Sequence, residues 1–430
     1  MKKRLFSLGV ALLLTLVSCT PTTEPAPAPI PTPIPTPAPT VEPTAEPTPA
    51  PPQDSVVTLS FGGDILCHTP VFTAAAKGDG AYDFGAFLQY GMADFFHADF
   101  NFANMENPVD AVGKNEKISS YPAFNAPREI GDFALSLGID TVAFCNNHAY
   151  DKGYAGLCTT VDNLKERGLS VAGAYRNEEE YNTPDIREIG GVKIGLLCYT
   201  SLVNSRFGVS NGELINTIEP FSLRTFVQRD ASAEAMCGEI QALREAGAEL
   251  VIVCLHWGSE YKNSPSATQK SIAHALCEGG ADLIVGGHSH CVQPMERYVR
   301  EDGKESLIFY SLGNLFADQT GLSKEKYGSD IAKTNYGVKV NVTVTKDALT
   351  GDVSLTGGDY EPTCLLRRKV NGKNEYFYLA SGRYATKETA DSLFPNDAIY
   401  QKCVDAYRHV TGILGQDVLP VHRYEEESPT

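Results

Sequence analysis

From residue 56 to residue 310 the chain repeats one pattern: a short apolar run, a polar loop, then a segment with helical spacing. The runs at residues 56–61, 99–105, 141–145, around Val171, 192–199, 250–255, 281–285 and 307–310 read as strands. Residues 131–137, 156–167, 231–246 and 266–277 read as helices, three of them closed by Gly138, Gly168 and Gly247. This alternation predicts an α/β fold in which a layered sheet is covered by helices. Beyond Lys333 the texture changes. Val338, Val340, Val342 and Val344 alternate with polar residues, as in a half-buried antiparallel strand, so a second sheet or an antiparallel edge is expected there. A last helix is expected over 397–414, inside an extension spanning 383–430 that ends in an acidic, disordered tail.

The pattern begins only after two segments of a different kind. Lys2, Lys3 and Arg4 precede an apolar stretch over residues 5–17 that is too short to span a bilayer comfortably. It runs into Leu16-Val17-Ser18-Cys19, which resembles a lipobox, so residues 1–19 read as a lipoprotein signal with Cys19 as the lipidated residue. The alternative is an ordinary secretory signal in which Cys19 is incidental. Residues 20–54 are dominated by proline, threonine, alanine and glutamate and cannot form a core. At about 3.1 Å per residue in polyproline II, such a tether reaches on the order of 100 Å. The expected location is therefore the cell membrane, lipid-anchored, with the domain of residues 55–382 facing the envelope or extracellular side.

A formal charge of −17 argues against nucleic-acid binding and against adhesion to anionic lipid through a basic patch. Eleven cysteines leave ten after Cys19, with no C-x-x-C pair and no zinc-finger spacing. Cys145, Cys198 and Cys254 lie inside apolar runs, so buried free thiols are the preferred reading.

Five strands end in metal-type ligands. Residues 56–61 lead into Gly62-Gly63-Asp64, and 99–105 into Glu106. Residues 141–145 lead into Asn146-Asn147-His148, and 250–255 into His256-Trp257-Gly258. Residues 281–285 lead into Gly286-Gly287-His288-Ser289-His290. In open α/β sheets, groups beyond the carboxyl ends of strands converge. Five of the nine histidines (His68, His148, His256, His288, His290) lie in these loops beside two carboxylates and an amide, and that concentration points to a metal site.

The order Asp64, Glu106, Asn147-His148, His256, Gly287-His288-Ser289-His290 resembles the metallophosphatase superfamily. The stretches Asn104-Met105-Glu106-Asn107-Pro108, Leu255-His256-Trp257-Gly258 and Tyr310-Ser311-Leu312-Gly313-Asn314 are similar to its CapA branch, the poly-γ-glutamate capsule proteins. The resemblance covers roughly residues 56–320. It implies a four-layer αββα sandwich of the metallophosphatase type with one or two divalent ions, manganese, iron or zinc. One metal would take Asp64, Glu106 and His290; a second would take Glu106, Asn147, His256 and His288. His148 would stabilise charge or protonate a leaving group, oriented by Asp151.

Some positions depart from that pattern. Leu66 stands where ordinary metallophosphatases carry a histidine, and Glu106 where they carry a bridging aspartate. His68 is either a replacement ligand or a substrate contact. Trp257 is either a substrate platform or core packing. Ser289 replaces the proline common in CapA relatives, giving a loop closer to active phosphoesterases. Two functions follow from the resemblance. One is a metal-dependent, phosphoesterase-like hydrolase acting on an envelope polymer or its phosphorylated precursor, with a membrane synthase complex as partner. The other is a non-catalytic, metal-binding assembly factor for a poly-γ-glutamate-type capsule.

Overall fold

Period-2 alternation decides which side of each strand is buried where, and two sheets result. The first contains Ser55–Leu66 at its centre, paired in parallel with Phe100–Met105, then Thr141–Ala143, then Ser170–Ala172. On its other side Tyr336–Lys346, Val353–Val370 and Lys373–Ala380 add on antiparallel. The late valine-rich segment is thus an antiparallel edge of the first sheet. The short strand Asn314–Ala317 also pairs with Ser55–Leu66, beyond Asp64.

The second sheet runs Arg224–Thr225, Val192–Thr200, Leu250–His256, Leu283–Gly287, Glu305–Phe309, Met295–Val299, parallel up to its last strand. The strand Ile186–Ile189 adds antiparallel to Val192–Thr200. The computed structural model describes residues 52–424 apart from 115–116, 205–208, 211–212, 215–218, 320–324, 326–330, 332 and 385–396. The lipobox with Cys19, the tether up to residue 51 and the acidic end of the chain lie outside the described residues.

Alternate residues face inward. Val57, Leu59 and Phe61 of the first sheet meet Ile194, Leu196, Cys198, Ile252, Cys254, Leu283 and Val285 of the second in one buried cluster. Full burial of side chains of this size contributes roughly 1.5–3 kcal/mol each. The outer face of the first sheet (Ala103, Met105, Val142) packs on Ile130, Phe133 and Ala134 of the helix Glu129–Ser136. The outer face of the second (Val251, Val253, Leu255) packs on the helices Ser232–Glu245 and Ala267–Glu278. Helix, sheet, sheet, helix: the chain is a four-layer αββα sandwich.

Local chemistry sets several boundaries. The helix Ala267–Glu278 begins with a capping box in which Ser266 Oγ accepts from Gln269 N and Gln269 Oε1 accepts from Ser266 N. The helix Asp397–Leu414, expected within an extension, carries Ile399, Cys403, Ala406, Val410 and Leu414 on one face and buries them in the inter-sheet core. All ten cysteines after Cys19 are free thiols, and Cys145, Cys198 and Cys254 lie in that core. Among the described residues no helix is long and apolar enough to cross a membrane.

Candidate metal centre

The site forms where the carboxyl ends of the central strands of both sheets meet. Asp64 reaches it through a bulge. Val57, Leu59 and Phe61 point inward, so unbroken alternation would turn residue 64 outward with Thr58 and Ser60. The register slips between Phe61 and Asp64, however, and parity flips: Ile65 now lies in the outer cluster. Asp64 therefore faces the second sheet, where His288 N–H donates to its Oδ2 at 3.1 Å. A Cβ on Gly63 would stand 1.9 Å from Gly313 O, and one on Gly287 would stand 2.6 Å from Asp64 Oδ1. Both glycines are needed for this close approach.

Two ligand groups assemble, and both are fully buried. Asp64, Glu106 and His290 form one; Glu106, His256 and His288 form the other. Glu106 Oε1 lies between them, 3.4 Å from His256 Nε2 and 3.6 Å from His290 Nε2. His288 Nδ1 is 3.1 Å from His256 Nε2, and Asn147 Oδ1 is 2.8 Å from that same nitrogen. His290 Nδ1 lies 3.5 Å from Asp64 Oδ2. His288 and His290 hold φ of 85° and 55°, a left-handed conformation that costs on the order of 1 kcal/mol or more per residue. The turn Gly287 to His290 is held there from both sides: Ser289 Oγ donates to Cys291 O and lies 2.9 Å from Ser311 Oγ.

The electrostatics are those of a cation site. Burial raises Glu106 well above its ordinary value, with the Asp64 charge adding to it against His290. Burial pushes His256 down to about 3, and His288 falls well below its ordinary value for the same reason. Burial opposes charge on His290 as well, but Glu106 and the hydrogen bond and charge of Asp64 lift it to about 10. Asp64 is held down to about 2 against its own burial, by the hydrogen bond of His290, the charges of His256 and His290 and the Asn104 amide.

The residues fit a divalent cation on one decisive observation. Both oxygens of Glu106 are buried with no hydrogen-bond partner among the described residues, in a carboxylate 0 % exposed. An ionised carboxylate in that condition is costly unless a cation completes it.

His148 lies beside this centre but in neither ligand group. Asp151 Oδ2 sits 2.7 Å from its Nδ1 and also accepts from Phe124 N–H. His68 likewise joins neither group. Trp257 is a correction to the substrate-platform alternative. It projects from the opposite face to His256, fully buried, stacked on Tyr310 with Nε1–H donating to Tyr310 O. It packs the outer core.

Sequence reasoning gave no role to three asparagines that the fold uses. Asn104 Nδ2 donates to Asp64 Oδ1 at 2.8 Å. Asn314 Oδ1 accepts from His290 Nδ1 at 3.0 Å, leaving Nε2 turned to Glu106. Asn204, anchored by its N–H to Asn147 O, sets its amide 3.2 Å from both ring nitrogens of His148. Asn104 was legible, since it shares the inward parity of Phe100 and Phe102; nothing in the sequence marks Asn204.

Comparison with known proteins agrees with the residue order. A family model described as bacterial capsule synthesis protein PGA_cap matches residues 58–319. The chain is 28% identical over 294 residues to the PGA biosynthesis protein CapA of Bacillus subtilis, covering 68% of this chain and 70% of that one. It is 28% identical over 302 residues to the capsule biosynthesis protein CapA of Bacillus anthracis, covering 69% and 67%. A probable polyglutamine synthesis accessory protein of Mycobacterium tuberculosis is 28% identical over 192 residues, 44% of this chain and 48% of that one. Among solved structures, the chain is similar to a novel phosphatase of Mycoplasma pneumoniae at a TM-score of 0.40 and 13% identity, covering 72% and 94%. The calcineurin-like phosphoesterase YfkN of Bacillus subtilis gives 0.36 and 14%, covering 83% and 99%.

Proposed function

The chain belongs to the bacterial capsule synthesis protein family PGA_cap, and from that premise we propose that it serves production of a poly-γ-glutamate-type capsule or related envelope polymer through metal-dependent, phosphoesterase-like hydrolysis. The substrate is the polymer or its phosphorylated precursor, and the partner a synthase complex in the membrane. Anchoring through Cys19 and the tether of residues 20–54 would hold the domain off the membrane surface. The donors are carboxylate, amide and imidazole with no thiolate, which suits manganese, iron or zinc.

One observation carries the catalytic reading: His148, outside both ligand groups, is held by Asp151 at 2.7 Å directly beside Asn147. A scaffold that only stored a metal would have no use for an oriented acid–base pair. A divalent cation bound by Asp64, Glu106, Asn147, His256, His288 and His290 supplies Lewis acidity to a substrate oxygen. The chain's own residues do the rest. Asp151 holds the imidazole through Nδ1, which leaves Nε2 to face the leaving oxygen and exchange the proton there. Asn314 and Asn104 hold His290 and Asp64 in place.

The competing reading is an assembly factor without turnover, which the accessory-protein name of the mycobacterial relatives favours. His148→Ala and His256→Ala, compared for metal content, thermal unfolding and surface polymer, separate the two. Catalysis predicts that His148→Ala keeps its metal and fold but slows turnover by roughly 10²–10⁴, while His256→Ala loses metal. Normal polymer production by His148→Ala would overturn the catalytic reading.

A further inference from the structure

Phe124 stands between two imidazoles. Its ring meets His68 at 5.1 Å between centroids and His148 at 4.6 Å, edge-on in both cases at 84° and 83°. The two histidines come from separate elements. His148 follows the strand Thr141–Ala143, and His68 stands just past Ser55–Leu66, the strand that carries Asp64.

His68 lies outside both ligand groups, yet it is buried at 7 % exposure. Ser120 Oγ lies 3.5 Å from its Nδ1, whereas its Nε2 is enclosed and has no hydrogen-bond partner among the described residues. A buried imidazole nitrogen left in that state is destabilising, and such groups are retained where something else completes them. The edge-on Phe124 ring separates the two imidazoles and sets their spacing.

We propose that His68 is a substrate-binding residue that pairs with His148 across Phe124, donating from Nε2 to a non-bridging oxygen of a phosphate group at the metal centre while His148 faces the leaving oxygen. This rests on the hydrolase reading of the site. It gives the chain an oxyanion contact at a position where the family pattern described above supplies none, four residues after Asp64 and two after Leu66.

The test uses the full-length protein loaded with manganese, with inorganic phosphate as probe. Metal content is measured by elemental analysis and phosphate affinity by calorimetry for wild type, His68→Ala, His68→Gln and His68→Asn. The expected result is unchanged metal with phosphate bound about 10–100-fold more weakly by His68→Ala, the effect of one lost hydrogen bond to an anion. His68→Gln, whose amide reaches the Nε2 position, recovers most of the affinity; His68→Asn does not. Should His68→Ala fail to fold, the Gln and Asn variants decide by themselves. Metal lost from the variants would make His68 a ligand and overturn the proposal. Equal phosphate affinity in His68→Gln and His68→Asn would overturn it too, as would wild type that binds metal but no phosphate. None of these outcomes bears on the polymer made by His148→Ala, so failure here and failure of the catalytic reading stay distinct.

Discussion

Replacing Glu106 by glutamine should make the domain more stable without metal and less stable with it. In the metal-free chain this carboxyl is buried, has no hydrogen-bond partner among the described residues and is raised well above 4.5, chiefly by desolvation. Keeping the ionised carboxylate in that desolvated position costs on the order of a few kcal/mol. Glutamine removes that cost but also removes the anion that helps keep His290 charged. The net gain is therefore smaller, about 1–2 kcal/mol. With metal the order reverses. Free cation at a thousand times its dissociation constant stabilises wild type by about 4 kcal/mol, and a chain lacking the shared ligand gains little of this. Unfolding followed in EDTA and again in excess manganese reads both limits. Glu106→Gln less stable than wild type in EDTA, or stabilised by manganese to the same extent, would refute the assignment of Glu106 as an orphaned, shared ligand.

Three other outcomes are expected. Cys19→Ala should leave the protein unprocessed or release it from the membrane fraction; a variant processed and retained like wild type would rule out lipid anchoring at that residue. Mild chelation should remove metal in part, the site of Asn147, His256 and His288 holding on longer, and His256→Ala should abolish the residue left on elemental analysis. Manganese binding near pH 8 should release about one proton from His290, which is raised to about 10 in the metal-free chain and must be bare to serve as a ligand. Affinity should then fall as pH falls, as titration in weak buffer would show. Without metal, His290, raised from 6.5 to about 10, contributes stability that is complete below pH 6.5 and lost as pH rises through 10.

The layering, and which polar residues end the central strands, were readable because both follow from local backbone geometry. A strand's pleat has period two, so Ile252, Cys254 and His256 necessarily share one face and Val253, Leu255 and Trp257 the other. That parity sets Trp257 on the face opposite His256, and the helices packed on that face make it outer core. Asp64, Glu106, Asn147, His256, His288 and His290 were likewise visible as polar residues ending apolar runs, since the ends of parallel strands must lie along one edge.

What the chain could not disclose is what depends on contacts between distant elements. Counting from Phe61 puts Asp64 on the wrong face, and only the slip at Gly62 and Gly63, pressed against Gly313, turns it inward. His68 was equally compatible with ligand and substrate roles, and only the tertiary structure sets its ring edge-on against Phe124 at 5.1 Å between centroids. The pairing of His290 with Asn314, and of His148 with Asn204, depends on side chains brought within 3.2 Å across 24 and 56 residues. Alternation is a property of each strand by itself and survives in the sequence. Those separations are set by how two sheets pack face to face, which no single segment encodes.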